Sequence, residues 1–297
     1  MDILRESVEV ISRIIDQYHG KEIPVERPGN LQTTPQIVTE TFFFGHDDSP
    51  YGVFHKPQGT LQKEVLICSP APYENERLDY ILKRLSKRLV LNGIATFQFH
   101  YFGTRDSKGD GAIARLSRWR EDVIAAGREL TLRLDNTAII WLGVRLGATL
   151  LWDAREALPC ESIVFWDPVI DGKQYLLDME THHRQIIADR ILVRNGRSIK
   201  GLQDSRELLG TTWSEAALNE MAALALAPST VTAPRVIWIA STDLETQMSA
   251  FLSISASQPG WHFQRESLDP GLRWLKSVDK IPDTGLSKTL ATALGSL

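Results

Sequence analysis

From residue 37 onward the chain alternates two kinds of segment, and this alternation constrains its fold more than any other feature. Short apolar runs are "EVLICSP" (64–70), "IATFQFHYFG" (94–103), "TAIIWLG" (137–143), "SIVFWDPV" (162–169) and "RVIWIAS" (235–241). Between them lie segments with apolar residues at helical spacing, including "NERLDYILKRLSKRLVLNG" (75–93), "ARLSRWREDVIAAGRELTLRL" (114–134) and "ATLLWDAREAL" (148–158). Apolar runs bounded by Gly and Pro are the pattern of strands buried on both faces. Strand–helix alternation then requires right-handed crossovers and a mainly parallel sheet. Ahead of these runs, "IVTETFFFG" and "YGVFHKP" flank a polar turn and predict a hairpin. "LETQMSAFLSIS" (244–255), "WHFQRES" (261–267) and "GLSKTLATALGSL" (285–297) add a helix, a last strand and a closing helix. The predicted class is α/β, with an eight-stranded, mainly parallel sheet flanked by helices.

Two regions fall outside this rhythm. Residues 3–18 carry Ile3, Val8, Ile11, Ile14 and Ile15 at mostly helical spacing, and Pro24, Pro28 and Gly29 then break the pattern. An extra N-terminal helix is expected over residues 1–24, packing on the main domain or on a second subunit, so a homodimer through this helix is one expectation. Residues 171–230 are helix-like, polar and rich in Arg and Glu. They are expected to form a helical lid inserted between two strands, leaving 37–170 and 231–297 as the core.

Charge narrows the partners. Lys and Arg number 33 against 37 Asp and Glu, a net charge of −4, which argues against a nucleic-acid-binding surface across the domain. The mixed-charge start lacks the pattern of a signal peptide, and no apolar run approaches the roughly 20 residues needed to span a bilayer. The two cysteines, Cys68 and Cys160, lie in or beside predicted strands and read as buried thiols, which fits a reducing cytoplasm. With no metal-ligand spacing and no nucleotide-binding loop, no cofactor is expected.

Three motifs in order now carry a resemblance. "CSPAPYEN" (68–75) stands where the third strand ends, "HYFGTRDSKGD" (100–110) is a Gly-rich loop after the fourth, and Gly143-Val144-Arg145-Leu146-Gly147 sits between a strand and a helix. This resembles the α/β-hydrolase fold, with arginine at the tip of a Gly-x-Ser-x-Gly nucleophile elbow. "GVRLGATLL", the stretch "FWDPVIDGKQYLLDM" (165–179) and the late "RWLKSVDKIPDTGL" are more narrowly similar to the exosortase-A-associated hydrolases of the second type. The resemblance covers about residues 37–297 and implies the hydrolase fold.

The chemistry that usually goes with this fold needs a serine at the elbow tip, a histidine after the last strand and an acid to orient it. Here the tip is Arg145, a permanently protonated group that cannot be a nucleophile. The last of the seven histidines is His262, inside "WHFQRES"; the following "SLDPGLRWLKSVDKIPD" has none. No ordinary Ser-His-Asp triad is expected. The acid has two candidate positions. Asp243, after the seventh strand, is an active-site acid or the N-cap of the next helix, and Asp167, after the sixth, is an acid or a turn residue before Pro168.

A guanidinium at the start of a helix meets about half a positive charge from the dipole and needs an anion. Arg145 with backbone N–H groups, notably that of Leu146, therefore predicts an anion site. The anion is a ligand carboxylate or phosphate, or an internal acid, Asp243, Asp167 or Glu74. Ser69 and Tyr73 lie in the segment expected to line the cleft, and Ser69 or Ser241 is a nucleophile only with a nearby base. His100 reads as a buried, hydrogen-bonded histidine or a general base. Adjacent His182 and His183 point about 100° apart on a helix and do not chelate a metal together. They read as solvated lid surface, with one of them, His182, able to face the cleft. Asp106 and Ser107 read as turn residues.

Two functions follow. One is an enzyme acting on a small acyl or carbonyl-bearing substrate under the lid, with Arg145 and the elbow N–H groups stabilising an anion and an acid such as Asp243 as base. The other is a degenerate hydrolase that binds a small anionic ligand or scaffolds a partner. The first is favoured at this level because the lid, both elbow glycines and the Gly-rich loop are all retained.

Overall fold

The strands found are β1 (Ile37–Phe43), β2 (Tyr51–Pro57), β3 (Lys63–Cys68), β4 (Ile94–His100), β5 (Ile139–Val144) and β6 (Ser162–Trp166), followed by the short β7 (Glu207–Leu208) and β8 (Thr211–Thr212), then β9 (Arg235–Ser241) and β10 (Phe263–Leu268). The helices are α1 (Pro72–Leu91), α2 (Leu116–Arg133), α3 (Leu146–Ala154), α4 (Gly172–Val193), α5 (Glu215–Ala223) and α6 (Leu286–Gly295). This computed structural model describes residues 37–59, 61, 63–133, 139–157, 162–193, 206–226, 235–241, 263–268 and 286–295. The expected N-terminal helix, the 244–255 helix, Cys160, His262 and Asp243 lie outside the described residues.

Among the described residues, eight strands form one sheet in the order β1-β2-β4-β3-β5-β6-β9-β10. β1 and β2 are the expected antiparallel hairpin, β2 meets β4 antiparallel, and every other pairing is parallel. The mainly parallel α/β architecture of the hydrolase fold is thus present. Period-two alternation divides the core between the two faces. Val65, Ile67, Ile140, Leu142 and Ile237 pack with Leu78, Leu82 and Leu85 of α1 and Leu290 of α6. Leu66, Phe97, Trp141, Phe165 and Trp238 pack on the other face with Trp119 and Val123 of α2 and with Leu150 and Leu151 of α3. Cys68 is fully buried and free, as expected of a structural thiol.

Two elements differ from the periodicity. α1 starts at Pro72, so "PYE" is its first turn rather than loop; proline fits there because the first N–H groups of a helix have no intrahelical acceptor. The 171–230 segment is not helical throughout, because β7 and β8 form a two-stranded ribbon between α4 and α5. No helix among the described residues is long and apolar enough to cross a membrane.

One core residue breaks the apolar pattern. Glu64, opposite Ala95 and Ile139 in the sheet, is fully buried, and burial pushes its carboxyl up to about 7. The unfolded carboxyl titrates near 4.3, so the native state holds the extra proton between about pH 4.3 and 7, and stability falls as pH rises through that window. Glu64→Gln is expected to raise stability by about 2–3 kcal/mol at pH 8 and to change it little at pH 4. Thermal melts of both proteins across that range check this; a wild-type curve that is flat with pH would refute it.

Candidate functional site

β5 ends at Val144 and α3 begins at Leu146, so Arg145 alone turns the chain, with φ 51° and ψ −122°. A non-glycine residue in this region carries strain of about 1–3 kcal/mol. Backbone bonds hold it there. The Arg145 N–H donates to the Trp166 carbonyl (3.0 Å), and its carbonyl accepts from Ala148 (3.0 Å) and Val169 (3.3 Å). The two elbow glycines have steric reasons. A Cβ on Gly147 would overlap the carbonyl oxygens of Ser69 and Cys68, and one on Gly143 would overlap the Ala148 backbone. α3 is thus pressed against the end of β3, and Leu146, at its first position, is buried.

The guanidinium is enclosed. Arg145 is 6% exposed; its Nε donates to Glu74 Oε1 (3.0 Å) and its Nη1 to the Asp167 carbonyl (3.0 Å). Tyr175 of α4 lies with its ring centroid 5.2 Å from Arg145 Cζ and donates its hydroxyl to Glu74 Oε2 (2.7 Å). Glu74 is 1% exposed, so one carboxylate joins the elbow arginine to α4 away from water. Burial acts to lower the Arg145 pKa, but Glu74, with Tyr175 and Asp167, outweighs it and holds the guanidinium above its ordinary value. Burial, and then the Glu74 charge, push the Tyr175 phenol well above its ordinary range.

The sequence candidates fall into place unevenly. Asp167, buried with φ 44°, joins the site through its backbone: its carbonyl takes the arginine and its N–H donates to Ile239 (2.9 Å). Ser69 is 1% exposed; its Oγ meets the Gln98 amide (3.2 Å), its carbonyl accepts the Tyr101 hydroxyl (2.9 Å), and neither contact is with a base. His100 is buried, 3.4 Å from Asp106 Oδ2 and stacked on Tyr51. Burial, with the Arg105 charge, holds it below the usual histidine range. Ser107 and the β4 end brace β2, the hydroxyl donating to the His100 carbonyl and accepting from Tyr51 N–H.

For His182 the solvated-surface reading does not hold: it is 6% exposed, with Nε2 3.3 Å from the Tyr73 hydroxyl, and burial, the largest cause, lowers its pKa. His183 accepts the Leu209 N–H (3.1 Å). Asp243 lies outside the described residues. Tyr175 was not singled out from sequence, although it occupies the aromatic position of the "WDPVIDGKQYLL" motif; Glu74 is one of the three acids the sequence offered as an internal partner of Arg145.

The described parts of 171–230 are tied to the core at several points. Ser214 donates to the Ala114 carbonyl (2.6 Å). Glu220 of α5 accepts from both the N–H and the hydroxyl of Ser117 at the start of α2, and Trp213 packs on Trp119. Tyr175→Phe removes a buried hydrogen bond to a charged acceptor and is expected to cost about 1.5–3 kcal/mol. A lower melting temperature and faster tryptic cutting within 171–230 are the readouts; an unchanged melt would mean the hydroxyl contributes nothing.

A separate open groove of ≈ 610 Å³ lies between the β1–β2 turn and α2, lined by Asp47, Arg118, Asp122 and Ile124 among others, and none of the elbow residues line it. Arg118 in this groove is met by Asp47 (2.7 Å) and Asp122 (3.1 Å). Among the described residues, no group of three or more His, Cys, Asp or Glu is placed to hold a metal ion.

No protein-family model matches the chain, and no curated protein matches it in sequence. Solved structures do match in shape. A protein of Agrobacterium vitis S4 designated a hydrolase aligns at 14% identity over 88% of this chain and 98% of its own, with a TM-score of 0.52. Carboxyl esterase 2 of the mycorrhizal fungus Tuber melanosporum aligns at 12% identity over 93% and 88%, with a TM-score of 0.53. The Francisella virulence factor BioJ aligns at 11% identity over 100% and 92%, with a TM-score of 0.52. At these identities the likeness is one of fold, and the chain has the α/β-hydrolase fold.

Proposed function

We propose that this hydrolase-fold chain is a catalytically degenerate member of its superfamily that works by binding, with the elbow converted into the fastening of its lid. One observation carries the proposal: the guanidinium at the nucleophile position is buried against Glu74 and the Asp167 carbonyl, and Tyr175 of α4 closes the same carboxylate. A cation already neutralised in this way draws an incoming anion only by displacing Glu74. The sequence independently lacks both the elbow serine and a histidine after β10. The similarity of "GVRLGATLL" and "WDPVIDGKQYLL" to the exosortase-A-associated hydrolases of the second type supports placing the chain beside that group. Its Tyr175 has a packing task here that needs no catalysis.

The test is reaction with a fluorophosphonate probe and with p-nitrophenyl acetate. No labelled serine and no turnover above that of a Glu74→Leu with Arg145→Met control is the expected result. Covalent labelling of Ser69, or turnover lost in that variant, would overturn the proposal.

A second reading keeps acyl chemistry, with Arg145 and the elbow N–H groups holding the anion of a small acyl or carboxylate-bearing ligand and an acid such as Asp243 as base. The strained tip, φ 51° and ψ −122°, favours it, since strain of this kind gathers at functional sites. Titration with acetate, phosphate and acetyl phosphate separates the two: stabilisation that disappears in Arg145→Met supports the second reading, and melts unmoved by any of them support the first.

A further inference from the structure

The second half of α1 presents a basic surface. From Tyr80 to Asn92 the helix carries Lys83, Arg84, Lys87 and Arg88 and no acid, in a protein whose net charge is −4. Its apolar side, Leu78, Ile81, Leu82, Leu85 and Leu89, is spent on the sheet. The outward stripe, at three- and four-residue spacing, therefore runs from Tyr80 (53% exposed) through the cations to Leu91 (42% exposed), a length of about 16 Å. Arg84 lies over the Tyr80 ring at 5.4 Å and donates to its hydroxyl, which holds that end in place. Asp79, next to Tyr80, pairs with Lys83 and Arg105, and exposed Glu76 lies one turn before the stripe. α6, packed against α1, adds exposed Lys288.

We propose that this face of α1 docks the protein peripherally on an anionic phospholipid surface. Charge complementarity carries the choice of occupant. Four cations in six residues match a layer of lipid phosphates, and Tyr80 and Leu91 at the two ends are side chains suited to the headgroup boundary. The placement agrees: α1 keeps its apolar side on the sheet with α6 beside it, so the cations lie on its outward side.

The experiment is co-sedimentation of the full chain with vesicles of phosphatidylcholine, with and without phosphatidylglycerol. Binding to the anionic vesicles alone is expected. It should weaken as salt shrinks the screening length from about 10 Å at 0.1 M to about 3 Å at 1 M. Lys83→Glu with Lys87→Glu should lower it by about 25-fold or more, at roughly fivefold per cation. Lys83 gives up only a surface pair with Asp79 and Lys87 is exposed, so the variant should melt within a few degrees of wild type. Arg128→Glu, on α2 across the sheet, should bind like wild type. Equal binding to neutral vesicles, no binding to either, retained binding in the double variant, or equal loss in Arg128→Glu would each overturn the proposal. Displacement from the vesicles by short duplex DNA at matching concentration would instead assign the stripe to nucleic acid.

Discussion

Glu74→Ala is expected to destabilise the protein by about 3–5 kcal/mol, because it leaves a guanidinium buried without its anion. In a chain of this size that amounts to a fall of about 10 °C or more in melting temperature. The magnitude follows from burial: Glu74 is 1% exposed and Arg145 6%, so water cannot substitute for the lost carboxylate. The pair also joins three elements, with Glu74 in the first turn of α1, Arg145 between β5 and α3, and Tyr175 on α4. Faster proteolysis of the lid should accompany the loss. The converse is also expected. Replacing both charges together, Glu74→Leu with Arg145→Met, should restore most of the stability, since an apolar pair of similar volume removes both desolvation costs. Acetate should stabilise Glu74→Ala more than wild type by occupying the vacated place. A Glu74→Ala protein that melts like wild type would show that the elbow cation does not need this partner and would return Arg145 to the role of a ligand site.

Gly147→Ala is the second large expectation. The added Cβ meets the carbonyl oxygens of Ser69 and Cys68, which are backbone atoms in and just after the central strand β3 and cannot rotate away. Overpacking of this kind costs about 1–3 kcal/mol, and with rigid neighbours on one side and α3 on the other the upper end is expected. Heating with far-ultraviolet circular dichroism measures it. If Gly147→Ala is neutral, α3 does not press on the end of β3 as closely as described. Alanine at 148 is already accommodated, so the effect belongs to position 147 and not to small side chains in general.

Much of the architecture was legible because it is written in local periodicity. The buried alternation of β3 and β5, the helical spacing of α1 and α2, and the Gly-x-Arg-x-Gly turn each need only a dozen neighbouring residues to be recognised. The ribbon β7–β8 was not legible. Strands of two residues carry no period, and they form because Trp213 and Ser214 are anchored on Trp119 and Ala114. His182 was misread for a related reason. The residue follows "LLDMET" on a helix whose polar and apolar residues do not separate cleanly, so its burial against Tyr73 comes from the docking of α4 and not from the pattern of α4 itself.

What the sequence determined by itself was a permanent cation at the elbow tip, no histidine after the last strand, and glycines on both sides of that tip. These are identities, and no folding changes them. Which anion meets the cation was decided only in three dimensions. Glu74 stands 71 positions before Arg145, and Tyr175, 101 positions from Glu74, lies on the other side of Arg145. An ion pair depends on distance and on exclusion of water, both of which arise when α1, the β5–α3 turn and α4 come together. Before that, Asp167, Asp243 and Glu74 were equivalent as carboxylates. Afterwards Glu74 holds the arginine with its side chain, and Asp167 holds it with its backbone carbonyl.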